Sequence, residues 1–205
     1  MKIGKRAHGT SGQALVETAL VLPLLLTVVL NAVNFAFFFL MALNITSSSR
    51  TSGIYAVMGN ATPAAAPLPL GGLNAGTLDC SSAAVSYVSY LACQDLTGSV
   101  YTPSNSNTGV NVCSSTVGVT GGGSTTAATN CTSYGAAGGG FPTTADADPE
   151  APAFLLARVD VAYKFSPPIP LTPFNALLLV ASNCTSSGGS VTCTFYRHIL
   201  MREMQ

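Results

Sequence analysis

Residues 12–49 read GQALVETALVLPLLLTVVLNAVNFAFFFLMALNITSSS, and after Glu17 no charged residue appears until Arg50. The charge-free run from Thr18 to Ser49 covers 32 positions. As a helix it would reach about 48 Å, against roughly 30 Å of bilayer hydrocarbon, so it is long enough to span and still protrude. A cleaved secretory signal has an apolar core of only about 7–15 residues, so this run reads as an anchor that stays with the protein. Pro23 cannot donate to the Ala19 carbonyl and is expected to kink or loosen the helix there. Thr27, Asn31 and Asn34 fall on one helical face, where amides in apolar surroundings can bond between helices, or else bond their own helix or an interfacial water. Phe35, Phe37, Phe38 and Phe39 point in several directions, which suits lipid or bundle contact better than a ligand pocket.

Charge outside the run sets orientation. Lys2, Lys5 and Arg6 precede it and Arg50 is the only basic residue close behind, so the N-terminus is expected on the cytoplasmic side and the rest outside. Only 8% of the chain is charged, with a net charge of zero and 48% hydrophobic residues. So little Lys and Arg excludes a phosphate-neutralising footprint, and nucleic acid is not an expected partner. Cys80, Cys93, Cys113, Cys131, Cys184 and Cys193 all lie beyond the span, where an oxidising compartment favours disulfides. Cys184 and Cys193 flank a Gly188-Gly189 turn that a hairpin would close. Six cysteines allow about 15 connectivities. Pairing Cys80 with Cys93 and Cys113 with Cys131 is the expectation for the others.

Beyond the span the texture changes repeatedly. The helix should end near Met58 at Gly59-Asn60, and the Pro- and Gly-rich stretch behind it reads as a linker. Ser82–Gln94 has apolar residues at helical spacing and predicts a short helix. Residues 96–152 are rich in Ser, Thr and Gly, with short strand-like alternations at Val110–Cys113 and Val117–Val119. Ala157–Phe165 alternates Val159, Val161, Tyr163 and Phe165 against Arg158, Asp160, Ala162 and Lys164, the pattern of a half-buried strand. Four prolines between Ser166 and Pro173 exclude an interior strand there, and Leu177–Ala181 and Val191–Ile199 read as two more strands.

The chain carries no nucleophile motif, phosphate loop or dinucleotide fingerprint. Asp146, Asp148 and Glu150 lack the remaining ligands and turn glycine of a calcium loop, and no cysteine pair has zinc-site spacing. Neither an enzyme nor a bound metal or cofactor is expected. Glu17 is the one carboxylate at the edge of hydrocarbon, a placement costing about 2.5–3.5 kcal/mol unless it is paired or sits at headgroup level.

The stretch from Gly12 to Leu26 resembles the opening of the TadE-like minor pilins, or pseudopilins, of the bacterial tight-adherence (Flp) pilus: a basic leader, a Gly, a Glu five residues later and an unbroken apolar helix. Val159, Val161, Tyr163 and Phe165, then Pro170-Leu171-Thr172-Pro173, then Met201-Arg202-Glu203 are similar to the family's C-terminal part. Thr18 stands where the major pilins carry Tyr, which favours the minor class. The resemblance implies cleavage between Gly12 and Gln13 by a prepilin peptidase, with Glu17 then facing a new amine during assembly.

The expected architecture is therefore α+β. A cytoplasmic leader (1–12) precedes a transmembrane and protruding helix (13–58) and a linker (59–81). An exported domain (82–205) follows, with a short helix and an antiparallel sheet. The expected function is that of a single-pass inner-membrane minor pilin working with a prepilin peptidase and other pilin or pseudopilin subunits. The alternative is a tethered surface-binding module or adhesin.

Overall fold

The computed structural model describes residues 11–58, 78, 80, 88–97, 102–113, 131–137, 140–141 and 155–203. A long helix, α1 (Ser11–Met58), is followed by a short one, α2 (Val88–Thr97). Five strands complete the chain: β1 (Thr108–Cys113), β2 (Cys131–Gly135), β3 (Leu155–Phe165), β4 (Cys184–Ser187) and β5 (Ser190–Glu203). They form one antiparallel sheet in the order β2-β1-β3-β5-β4.

The sheet's inner face comes from period-two apolar patterning. Val110 and Val112 lie opposite Val161 and Val159, and Tyr163 lies opposite Phe195. Burying β-branched and aromatic residues across adjacent strands gives each strand neighbours on one side and a surface for a helix on the other. The second half of α1 fills that surface. Its buried stripe, Asn34, Met41, Ile45, Ser48, Ser52 and Ala56, recurs at helical spacing, as a helix facing one neighbour requires. The Phe38 ring meets Phe195 at 4.7 Å and Phe165 at 6.3 Å between centroids. Further along, a methyl group at Gly53 would lie 2.5 Å from the Ile199 side chain, so only glycine lets helix and strand approach this closely. The α2 helix buries Val88, Ala92 and Leu96, and Ser48 Oγ donates to the Ala92 carbonyl at 2.8 Å.

Disulfides join Cys80 to Cys93, Cys113 to Cys131 and Cys184 to Cys193. The last two link residues directly opposite in the ladders. Gly188 and Gly189, with φ of 58° and 81°, make the two-residue turn between β4 and β5, a conformation other L-residues avoid.

The sequence expectations differ from the structure at several elements, and two strands, β2 and β4, fall where the sequence reading has none. Leu177–Ala181 is not a strand. Leu178–Val180 forms a 3-10 turn, because Leu178 and Leu179 N–H both donate to the Asn175 carbonyl and no ladder partner is present among the described residues. The short helix runs to Thr97, past the Gln94 expected as its end. The strand β3 is buried on both faces at Asp160 and Ala162, not on one. The expected strand at Val117–Val119, the start of the expected helix at Ser82, the expected linker (59–81) apart from the buried Leu78 and the disulfide-bonded Cys80, and Asp146, Asp148 and Glu150 lie outside the described residues.

Candidate membrane and assembly interface

From Gln13 to Leu30, α1 touches the domain hardly at all. Leu15 and Leu20 are each 71% exposed and Leu24 69%. Val21, Leu22, Leu24, Leu25 and Leu26 are spaced around the helix at about 100° per residue, so the segment is apolar on every side rather than along a stripe. These 18 residues measure about 27 Å, close to the roughly 30 Å of hydrocarbon in a bilayer. Among the described residues, α1 is the one helix long and apolar enough to cross a membrane.

Inside the segment, polar side chains are satisfied by their own helix. Thr18 Oγ1 donates to the Ala14 carbonyl at 2.9 Å and Thr27 Oγ1 to the Pro23 carbonyl at 2.8 Å. The helix runs unbroken through Pro23. At the N-terminal end, Gln13 Nε2 donates to Glu17 Oε1 at 3.3 Å across one helical turn, and both side chains are exposed. Gly12 has open space around the position of a side chain.

Where the bare segment ends, two asparagines fasten the helix to the proline-rich stretch after β3. Asn34 Nδ2 lies 3.0 Å from the Ile169 and Phe174 carbonyls and 2.9 Å from Asn175 Oδ1. Its Oδ1 accepts the Ile169 N–H at 3.4 Å. Asn175 in turn donates to the carbonyls of Ile169, at 2.6 Å, and Leu171, at 2.8 Å. Asn31 Nδ2 donates to the Thr27 carbonyl at 2.9 Å and the Pro173 carbonyl at 3.3 Å. Of the face expected to bond between helices, Asn31 and Asn34 are thus taken up within the chain's own domain, and Thr27 bonds its own helix. Asn175 is a functional neighbour that sequence pattern does not mark. A polar residue following Pro-x-x-Pro, with two spaced asparagines on a distant helix, is the only signal it leaves.

The outer face of the sheet holds a second polar group that the strand pattern does not suggest. Asp160, fully buried, accepts from Arg158 Nε at 2.9 Å and Asn111 Nδ2 at 3.1 Å, and from the Tyr196 hydroxyl. Ser133 Oγ donates to Asn111 Oδ1 at 2.9 Å, extending the set across β2, β1, β3 and β5. Burial, together with the neighbouring Asp160 carboxylate, pushes the Tyr196 hydroxyl above its ordinary pKa, with Arg158 opposing. For Arg158, burial pulls down but Asp160 and Tyr196 more than offset it, so the guanidinium stays charged. A buried carboxylate held by three donors binds strands together rather than waiting for a ligand. Among the described residues no group of His, Cys, Asp and Glu is placed to hold a metal.

Residues 12–53 match the family model described as TadE-like protein. That stretch is the whole bare segment plus the helix as far as its closest approach to β5, and the C-terminal motifs lie beyond it. No curated protein and no solved structure matches the chain. The family points to a pilin-like protein associated with the tight-adherence pilus, a structural class rather than an enzymatic one.

Proposed function

We propose that this chain is a minor pilin or pseudopilin of a tight-adherence pilus, held in the inner membrane by Gln13–Leu30 with its folded domain outside. The observation that carries this reading is a helix apolar on all faces and bare for one membrane thickness before it enters a disulfide-bonded domain. Lys2, Lys5 and Arg6 before the span, against Arg50 alone behind it, support a cytoplasmic N-terminus. A prepilin peptidase removes the first twelve residues by cutting between Gly12 and Gln13, which leaves a free α-amine four residues from Glu17. In the uncut chain the Glu17 carboxylate bonds the neutral Gln13 amide. After cutting, the carboxylate pairs with the amine of a neighbouring subunit as the bare helices come together.

The test is to express Glu17→Ala and Glu17→Gln in a strain lacking the wild-type gene, scoring cleavage by intact mass and assembly by recovered pili or crosslinked subunits. Both variants are expected to insert and lose twelve residues while assembly fails, because an amine left among apolar helices without its partner is penalised by several kcal/mol. Normal assembly of a fully cleaved Glu17→Ala protein overturns the pairing. Retention of Met1 on the assembled protein overturns the cleavage.

A further inference from the structure

The stretch from Ser166 to Ala181 leaves an unusual amount of apolar surface uncovered. Val180 is 85% exposed, and Leu171, Leu177 and Leu179 are each more than 40% exposed. No charged residue lies between Lys164 and Arg197. Its backbone is also short of free donors. Prolines remove the N–H at 167, 168, 170 and 173, while Ile169, Thr172, Phe174 and Asn175 all donate inside the protein. Such a segment can enter a region poor in water without leaving those N–H groups unsatisfied.

Its depth is fixed as well. Asn31 and Asn34 hold Ile169, Pro173, Phe174 and Asn175 against α1 about 27 Å from Gln13, where the bare apolar segment stops. Leu171 lies within the stretch held this way, and the turn that carries Leu177, Leu179 and Val180 begins at the Asn175 carbonyl, which accepts the Leu178 and Leu179 N–H groups. We propose that residues 166–181 form a collar that docks onto the outer leaflet of the membrane, placing Leu171, Leu177, Leu179 and Val180 among headgroups and upper acyl chains. The collar rests on the reading of Gln13–Leu30 as a membrane span. It adds that the folded domain is seated on the bilayer, with the helix and the collar sharing the load of anchoring.

The chain contains no tryptophan, so a single one reports its own surroundings. Val180→Trp, Val21→Trp and Leu200→Trp, each in the full chain, go into phosphatidylethanolamine/phosphatidylglycerol vesicles at a protein-to-lipid ratio too low for subunits to meet. The lipids are brominated either near the headgroup or near the bilayer centre. Leu200, on the outer sheet face toward the end of β5 away from Phe165, is the water reference. Val180→Trp should emit at shorter wavelength than Leu200→Trp and lose emission most with bromines near the headgroup, whereas Val21→Trp should be quenched from the deeper position. Quenching of Val21→Trp with Val180→Trp behaving like Leu200→Trp overturns the collar and leaves the span intact. Absence of quenching at Val21→Trp overturns both.

Discussion

The two halves of α1 are made of similar residues and do different things. Both are helical, and charge is absent from Thr18 to Ser49 across the boundary between them. The first half has apolar side chains on all sides and almost no contact with the domain. The second half turns Asn34, Ser48, Ser49 and Ser52 inward and leaves Phe39, Leu40 and Leu43 at least half exposed. Residue type alone would assign these faces the wrong way round. Small polar residues let the helix backbone lie close to the sheet and to α2, and two of them bond across the contact, Ser48 to the Ala92 carbonyl and Asn34 to the Phe174 carbonyl. The length of an apolar run thus overstates the length of a membrane span when part of the run is the central helix of a domain.

The sharpest way to break this comparison is to truncate one side chain in each half. Ile45, fully buried, should cost the domain about 2–5 kcal/mol on Ile45→Ala, through lost burial and the cavity left behind. Leu22→Ala, on an exposed side chain of the bare segment, should move domain unfolding by less than about 0.5 kcal/mol. Urea unfolding of both variants in detergent micelles gives the two numbers, and equal losses would dissolve the distinction. Gly53→Ala probes the closest contact of the second half. Overpacking against the Ile199 Cγ2 methyl should destabilise by about 1–3 kcal/mol, and in an Ile199→Ala background, which lacks that methyl, Gly53→Ala should cost less. Additive losses in the double variant would show that the contact is not the cause.

At the boundary, Asn34→Ala takes the Asn34 donor from the Phe174 carbonyl and Asn175 Oδ1 and leaves the Ile169 N–H without its acceptor, a loss of about 1–3 kcal/mol. Hydrogen exchange should then quicken at Ile169 and Asn175 while the bare segment keeps its protection in lipid. The smallest effect separates the halves by pH. Because folding raises the Tyr196 pKa, its contribution is complete below the ordinary tyrosine value and is lost as pH climbs through the higher folded value. Domain stability should therefore decline in strong alkali, and Tyr196→Phe should flatten that decline. The helicity of Gln13–Leu30, which contains no tyrosine, should not respond.

The long apolar helix and the central strand are legible in the chain directly, and what is not legible has physical causes. A run of 32 residues without a charge is hard to reconcile with anything but a long apolar helix, and the alternation from Val159 to Phe165 has the period of a strand and no helical counterpart. The hairpin disulfide follows from Gly188-Gly189 between two cysteines. Leu177–Ala181 misleads because an apolar run of strand length fits a 3-10 turn equally well once the Asn175 carbonyl accepts the N–H groups that a ladder would have used. Asp160 reads as solvent-facing because alternation says which face a residue occupies and nothing about what covers that face. Asn31 and Asn34 fall on the correct side of the helix, but their partners lie more than 130 positions away, a distance no local pattern spans.

The unbroken passage of α1 from bare segment to core also makes the protein a mechanical element. Between Phe38 and Gly53 the helix advances about 22 Å, and over the same interval its contacts on β5 move from Phe195 to Ile199 and Met201, so helix and strand run side by side. Tension entering at Gln13 is accordingly spread along a seam loaded in shear, with many contacts resisting together instead of parting in turn. The helix carries no break between Gln13 and that seam in which the pull could be lost. The Cys184–Cys193 bond clamps the hairpin to the start of the strand that takes the strain, so a chain drawn by its helix would carry its domain with it.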